Sequence, residues 1–322
     1  LDFGFFNNRL SGSVEYYNKK TSDLLFPVSL SYTSGFSSQT QNIGEMVNKG
    51  VELELRVDAV RKKHGSLSFY GNYSYNKNKV LSIPTDDDFL PTSGRGLGLT
   101  VLKEGIEAYT FYLTRWAGVD ASNGEPLYYD KDGNVTNVFS DGDNVVLDGK
   151  SILPKFYGGF GLNAELYGFF VDADFYYSGG NYTMNYIAQN LINDGETPES
   201  IQRRDAANFW RNPGDIVDNP NPAAAGYTSR TTDRFLQKGD YLRLRTLRVG
   251  YTLPTKILSK IKVSNLSVYF QGTNLFTATA FEGDPEVGMG SAESATGEIG
   301  LPGEAALYSY PQFRGYSFGV SV

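Results

Sequence analysis

Apolar and polar positions alternate with a period of two along nine segments of this chain. The clearest is Met46–Val60. Val47, Val51, Leu53, Leu55 and Val57 fall on one side there, and Asn48, Gly50, Glu52, Glu54 and Arg56 on the other, as when successive side chains point to opposite faces of a strand. Lys49 interrupts the apolar side near one end, where a long side chain can snorkel. The same pattern predicts strands over Leu1–Phe6, Arg9–Leu25, Met46–Val60, Ser66–Ile83, Phe156–Leu166, Phe169–Tyr177, Gly239–Pro254, Asn265–Phe276 and Arg314–Val322. The Gly239–Pro254 segment organises the rest: it opens on a Gly-Asp turn, closes on a proline, and sets Leu247, Val249 and Tyr251 against Thr246, Arg248 and Gly250. Leu242 and Leu244 are out of phase with Leu247 and Val249, which predicts a bulge near Arg245.

The connections alternate as well. Asn7-Asn8 reads as a two-residue hairpin turn, Arg61–Gly65 as a short basic turn, and Tyr167-Gly168 as the link of a tight pair. Insertions of about 26–45, 84–155, 178–238 and 277–311 lie between them. Short links at one end and long ones at the other are the layout of an outer-membrane barrel. A soluble sandwich, the other home for strands with one apolar face, has no reason to segregate its loops. Inside the insertions, Tyr109–Gly118 and Pro126–Tyr129 read as a small hairpin, in the barrel or in a loop. Thr197-Pro198-Glu199 reads as a helix start running to about Trp210, and Pro254–Ser264 has room for one helical turn.

Composition narrows the classes. A net charge of −7 supplies no basic surface for phosphates, so no nucleic-acid partner is expected. The absence of cysteine excludes disulfides and thiolate metal sites. No run of 18 apolar residues predicts a membrane helix, and barrel strands would not show one. The 23 Tyr and 21 Phe against 2 Trp suit strands and, for Tyr, a membrane interface. Leu-Asp-Phe-Gly-Phe-Phe at the start lacks the features of a signal peptide and reads as the middle of a strand, so the chain is expected to be a cut piece.

Five segments in order carry a family resemblance: Asn42-Ile43-Gly44-Glu45-Met46-Val47-Asn48-Lys49-Gly50-Val51-Glu52-Leu53; Ala117-Gly118-Val119-Asp120 through Asn123-Gly124-Glu125-Pro126-Leu127-Tyr128-Tyr129; Gly239–Pro254; Asn274-Leu275-Phe276 with Asp284-Pro285-Glu286; and Pro311-Gln312-Phe313-Arg314. The chain resembles the SusC/RagA-type TonB-dependent outer-membrane transporters. The resemblance implies an all-β fold, the C-terminal portion (about nine strands, roughly 14 to 22) of a large antiparallel transmembrane β-barrel of 22 strands with long extracellular loops. It also implies a plug domain, opening by the TonB complex through N-terminal regions absent from this chain, a SusD-type lipoprotein partner, contact with outer-membrane lipid, and import of glycans or oligopeptides. The family usually ends on an aromatic residue whereas this chain ends at Val322, so a few further residues are expected. Two other readings stay open: a TonB-dependent receptor for metal chelates, and a secreted β-rich carbohydrate-binding protein.

Catalysis finds little support, and neither a cofactor nor a metal is expected. His64 is the only histidine and sits in a basic turn beside Lys62 and Lys63. Asp86-Asp87-Asp88 and Asp130-Lys131-Asp132-Gly133-Asn134 lack the full ligand spacing of a calcium loop and read as solvated turns. Asp172 and Asp174 share a strand face, as an acid and base pair would, but read better as groups lining a wet lumen or pairing with Arg243, Arg245 or Arg248. Glu52, Glu54, Arg56, Asp172, Asp174 and Arg248 are the expected lumen-lining set. Tyr182, Tyr186, Phe209, Trp210, Tyr227, Tyr308 and Tyr310 lie in the insertions, where aromatic rings stack on sugars, form a protein interface, or pack the loops together.

Overall fold

A computed structural model describes residues 1–29, 33, 35, 38–42, 44–83, 89–91, 100–196, 199–223, 230–259, 263–286 and 310–322. Nine strands form one sheet whose spatial order is the chain order: β1 (Asp2–Phe5), β2 (Leu10–Thr21), β3 (Glu45–Lys62), β4 (Gly65–Ser82), β5 (Phe156–Leu166), β6 (Phe169–Gly179), β7 (Tyr241–Thr252), β8 (Ser267–Thr279) and β9 (Gly315–Ser321). Every neighbouring pair is antiparallel. This is the up-and-down wall that the alternation predicts, with β1 and β9 at its edges.

The register explains the two faces. Leu10, Val57, Phe69, Leu162, Ala173, Leu247, Gly272 and Tyr316 lie side by side across eight strands, and so, one position over, do Ser11, Arg56, Tyr70, Gly161, Asp174, Thr246, Thr273 and Gly315. Because side chains alternate, one face is apolar and the other polar along the whole width. The apolar face is uncovered: Val51, Leu53, Phe69, Phe160, Val249 and Phe318 are all exposed. A broad bare apolar face rather than a two-sheet core is what a lipid-facing wall requires.

The predicted bulge is present at Arg245. Asp174 faces Thr246 and Phe175 faces Leu244, so Arg245 is the extra residue, and β8 skips at the same point. The extra residue restores the phase, placing Leu242 and Leu244 on the same face as Leu247 and Val249.

Short connections crowd one end. Tyr167 (φ 51°) and Gly168 (φ 90°) form the two-residue link between β5 and β6, the positive-φ turn that matches strand twist. The basic turn is tighter than expected, because Lys62 already faces Gly65. The first turn is looser: Phe5 pairs with Leu10, so four residues rather than two make the link. Between β7 and β8 the expected helical turn is α2 (Thr255–Leu258).

The two longest insertions fold together at the other end. Thr110–Leu113 pairs with Thr100–Lys103 and with Val145–Ser151, while Arg115–Val119 pairs with Pro126–Tyr129. Neither joins the nine-stranded sheet, so the small hairpin belongs to the insertion. Tyr182–Met184 pairs with Leu236–Lys238. Between them lies α1 (Tyr186–Ile192), whose N-cap Asn185 accepts from the Ala188 N–H at 2.9 Å. Phe111, Leu113, Leu147, Ile152, Met184, Ala188 and Phe235 form a buried core between the two insertions.

The helix expected from Thr197 to about Trp210 does not form. Thr197 and Pro198 lie outside the described residues, and beyond them only the 3-10 turn Arg204–Ala207 is helical. Tertiary bonds claim the flanking backbone instead: Arg203 N–H donates to Leu191 O at 2.9 Å and Trp210 N–H to Asn219 O at 3.0 Å. A capping signal starts a helix only if a periodic apolar face sustains it, and 199–210 has none.

Candidate functional site

The structure places Glu52, Glu54, Arg56, Asp172, Asp174 and Arg248 on one face of the sheet, the polar one, opposite Ser74, Asn72, Tyr70, Asn163, Gly161 and Gln271 respectively. Asp174 accepts from the Tyr70 hydroxyl. The strand between them carries Gly161, where a Cβ would lie 2.5 Å from Tyr70 Oη, so glycine lets the Tyr70 ring cross β5. Asp172 accepts from Asn163 Nδ2 at 2.8 Å. Arg56 pairs with Asp58 at 3.3 Å, and Asp58 also accepts from Ser68 at 2.8 Å and from Arg61. Glu52 faces Glu15 directly across β2 and β3, a like-charge pairing that costs stability unless screened.

Arg248 is held between two aromatic rings. Its guanidinium carbon lies 4.0 Å from the ring centroid of Tyr269 and 5.1 Å from that of Phe170. Asp172 stands directly opposite it in the register, yet no ion pair forms.

Near the insertion end, the polar face carries a buried charge cluster. Arg243, 2% exposed, lies 2.5 Å from Asp284 and 3.0 Å from Glu286, the second contact through Nε at an angle that is not a hydrogen bond's. Glu286 also accepts from Tyr241 Oη at 2.7 Å and from Arg245. Asp284 takes the backbone N–H of Glu286 at 3.0 Å and of Gln312 at 2.8 Å. Arg243 and Arg245 therefore pair with Asp284 and Glu286, not with Asp172 or Asp174. The reason is height on the sheet, since both arginines sit at the bulge, beside the stem of the last insertion. The alternation of a strand and an Asp-Pro-Glu tripeptide some 40 residues apart were visible in the sequence, but nothing local joined them.

The insertion aromatics divide. Trp210 is buried: its indole N–H donates to Ala121 O at 3.0 Å, and its ring lies against Gly124. It ties the second long insertion to the first and does not face outward in this chain. Tyr182 and Tyr186 are half-buried against the insertion core. Phe209 is half-buried with the Arg211 guanidinium 4.5 Å from its ring. Tyr310 is 83% exposed and stacks on Phe313 at 6.4 Å. Tyr227 and Tyr308 lie outside the described residues.

Sequence reasoning passed over Arg234, the hub of this body. It binds Asp194 at 2.6 Å and Asn219 at 2.5 Å, and its guanidinium lies 4.7 Å from the Trp116 ring. Burial pushes the nearby Tyr128 hydroxyl up to about 12, with Asp194 adding to the shift.

Of the two acidic turns, the one at Asp130 is tied up by its own backbone and side chains. Asp130 accepts from the side chain and backbone of Asn134 and from the Asp132 N–H, which holds its carboxyl below the usual range. Asp86, Asp87 and Asp88 lie outside the described residues. Among the described residues no group of three or more His, Cys, Asp or Glu could hold a metal ion. His64 stacks on Tyr167 at 5.8 Å across two adjacent turns.

Comparison with known proteins agrees with this architecture. Residues 1–275 match the family described as TonB dependent receptor-like, beta-barrel. TonB-dependent receptor P3 of Formosa agariphila is 32% identical over the whole chain, which spans 33% of that relative. TonB-dependent receptor SusC of Bacteroides thetaiotaomicron is 26% identical over 90% of the chain, covering 29% of its own length. Among solved structures, the RagAB peptide transporter superposes on 99% of the chain with a TM-score of 0.83 and 29% identity, the match covering 34% of that structure's chain. The chain thus spans about a third of the proteins it matches.

Proposed function

Because the chain belongs to the TonB dependent receptor-like beta-barrel family, we propose that it is part of the wall of an outer-membrane transporter that imports oligopeptides or glycans. In this reading the apolar face of the nine strands meets lipid and the polar face lines the lumen. The short turns then point to the periplasm and the insertions to the outside, where they meet a SusD-type lipoprotein. Passage is gated by parts of the protein beyond this chain and driven by the TonB complex. The wall binds and excludes; it performs no covalent chemistry.

The observation that carries the reading is the match to the RagAB peptide transporter over 99% of the chain at 29% identity. The bare apolar face supports membrane residence, which the reading of a secreted carbohydrate-binding protein does not explain. The buried pairing of Arg243 with Asp284 and Glu286 supports a fixed stem for the last insertion at the outer end of the wall.

The test is genetic and biochemical. The full-length protein should leave the membrane fraction only with detergent and should purify with a surface lipoprotein. Deleting its gene should abolish growth on the oligopeptide or glycan it imports, with growth on free amino acids and monosaccharides unchanged. A protein that stays soluble without detergent, or a deletion that alters no uptake, would overturn the proposal.

A further inference from the structure

Arg248 is the feature of the polar face that its neighbours leave unexplained. Phe170, Gly250 and Tyr269 are adjacent in one row across β6, β7 and β8, and Arg248 stands two residues before Gly250 on the same strand and face. A Cβ at Gly250 would lie 2.4 Å from Phe170 Cζ, so the missing side chain lets the ring lean over β7. The guanidinium lies over both rings, at 5.1 Å from Phe170 and 4.0 Å from Tyr269. Ring contacts of this kind engage the flat faces of the cation and leave its N–H edge free for in-plane acceptors.

That edge has no acceptor. Among the described residues Arg248 makes neither a hydrogen bond nor an ion pair, and its Nε is buried without a partner. Asp172, its register neighbour, is engaged by Asn163 instead. Only Nε is cut off from water; the terminal nitrogens stay open to solvent, where an acceptor from outside this set can meet them. A cavity of about 400 Å³ opens beside it, lined also by Glu165, Asp172, Asn265, Ser267 and Ser321. The lining is one fixed cation surrounded by acceptors. It suits a ligand with one carboxylate and several N–H donors, and disfavours a multiply charged inorganic anion, which the two nearby carboxylates repel.

We propose that Arg248, held between Phe170 and Tyr269, binds the C-terminal carboxylate of a peptide in transit, with the surrounding acceptors receiving its N–H groups. This rests on the peptide branch of the transport reading. The planar guanidinium gives a two-pronged bond that lysine cannot reproduce.

The experiment uses the full-length transporter, purified in detergent, and short peptides in matched pairs that differ only in a C-terminal carboxylate or amide. The wild type should retain the acid form about tenfold or more better than the amide, as expected for a charge-assisted hydrogen-bonded pair. Arg248→Gln should bring that ratio close to one, and Arg248→Lys should leave it intermediate. Circular dichroism and heat-modifiable migration of each variant establish that it is folded, and Tyr269→Leu, which loosens the clamp without removing the charge, should lower the ratio partway. If the wild type holds acid and amide alike, or Arg248→Gln keeps the preference, the inference is overturned while peptide transport stands. If the wild type holds neither form, peptide transport itself fails and the inference falls with it.

Discussion

Single residues on the polar face act through what they leave out as much as through what they carry. Gly161 lets Tyr70 reach Asp174 across an intervening strand. Gly161→Val should displace that ring and destabilise the sheet by about 1–3 kcal/mol, the usual cost of overpacking. The check is the temperature at which the full-length protein loses its folded migration on a gel. Arg243 is the opposite case, a buried cation shared by two carboxylates. Removing one partner of a buried pair costs roughly 3–5 kcal/mol because the other charges stay buried. Arg243→Ala should therefore release the stem of the last insertion, read as faster proteolysis between β8 and β9, with the turns at the other end unaffected. Asp130 carries a prediction about pH. Its side-chain bond from Asn134, and then the backbone bonds, lower its folded pKa below the unfolded value. The turn's contribution to stability is thus present above the ordinary aspartate value of about 3.9 and is lost as pH falls through the lower folded value. Amide exchange at Gly133 and Asn134 should accelerate over that acidic interval, and in Asp130→Ala it should be fast at every pH.

At the scale of elements, alternation and turn chemistry worked wherever a segment's own sequence decided its conformation. All nine strands and the bulge at Arg245 follow from period-two patterning. The helix expected at Thr197–Trp210 failed because its backbone bonds go to neighbours far away in the chain, a case of tertiary contacts overriding a local start signal. Trp210 shows what replaces the helix. Its ring and indole N–H fasten the second long insertion to the loop at Ala121–Gly124. Trp210→Ala should remove about 3–5 kcal/mol of local packing, as large-to-small changes at buried aromatics do. Protease sensitivity should rise within residues 180–240 while the strands remain assembled.

For the whole molecule, the nine strands make an open wall with β1 and β9 as edges. In hydrocarbon each unpaired backbone group is worth several kcal/mol, so a spanning sheet must close. On the proposed membrane reading both edges are paired by other strands of the protein, in keeping with a match that covers about a third of each relative. Intact mass of the native polypeptide from detergent-extracted membranes should therefore be about three times the 35.5 kDa of this chain. A native mass equal to that of the chain would mean that the sheet closes some other way.

The strands, their two faces, the segregation of short and long connections, and the family resemblance were legible in the residues alone. Each of these is written in local spacing, because side-chain alternation and turn propensity act over a few residues. Tertiary structure alone decided which charges meet. Arg243 and Arg245 choose Asp284 and Glu286, Asp172 turns to Asn163, and Arg248 is left between two rings. It also decided that Trp210, among the insertion aromatics read as stacking on sugars, forming an interface or packing the loops, is buried between insertions. These outcomes depend on register, on a one-residue bulge and on contacts between segments dozens of residues apart, where a shift of one position sends a side chain to the other face.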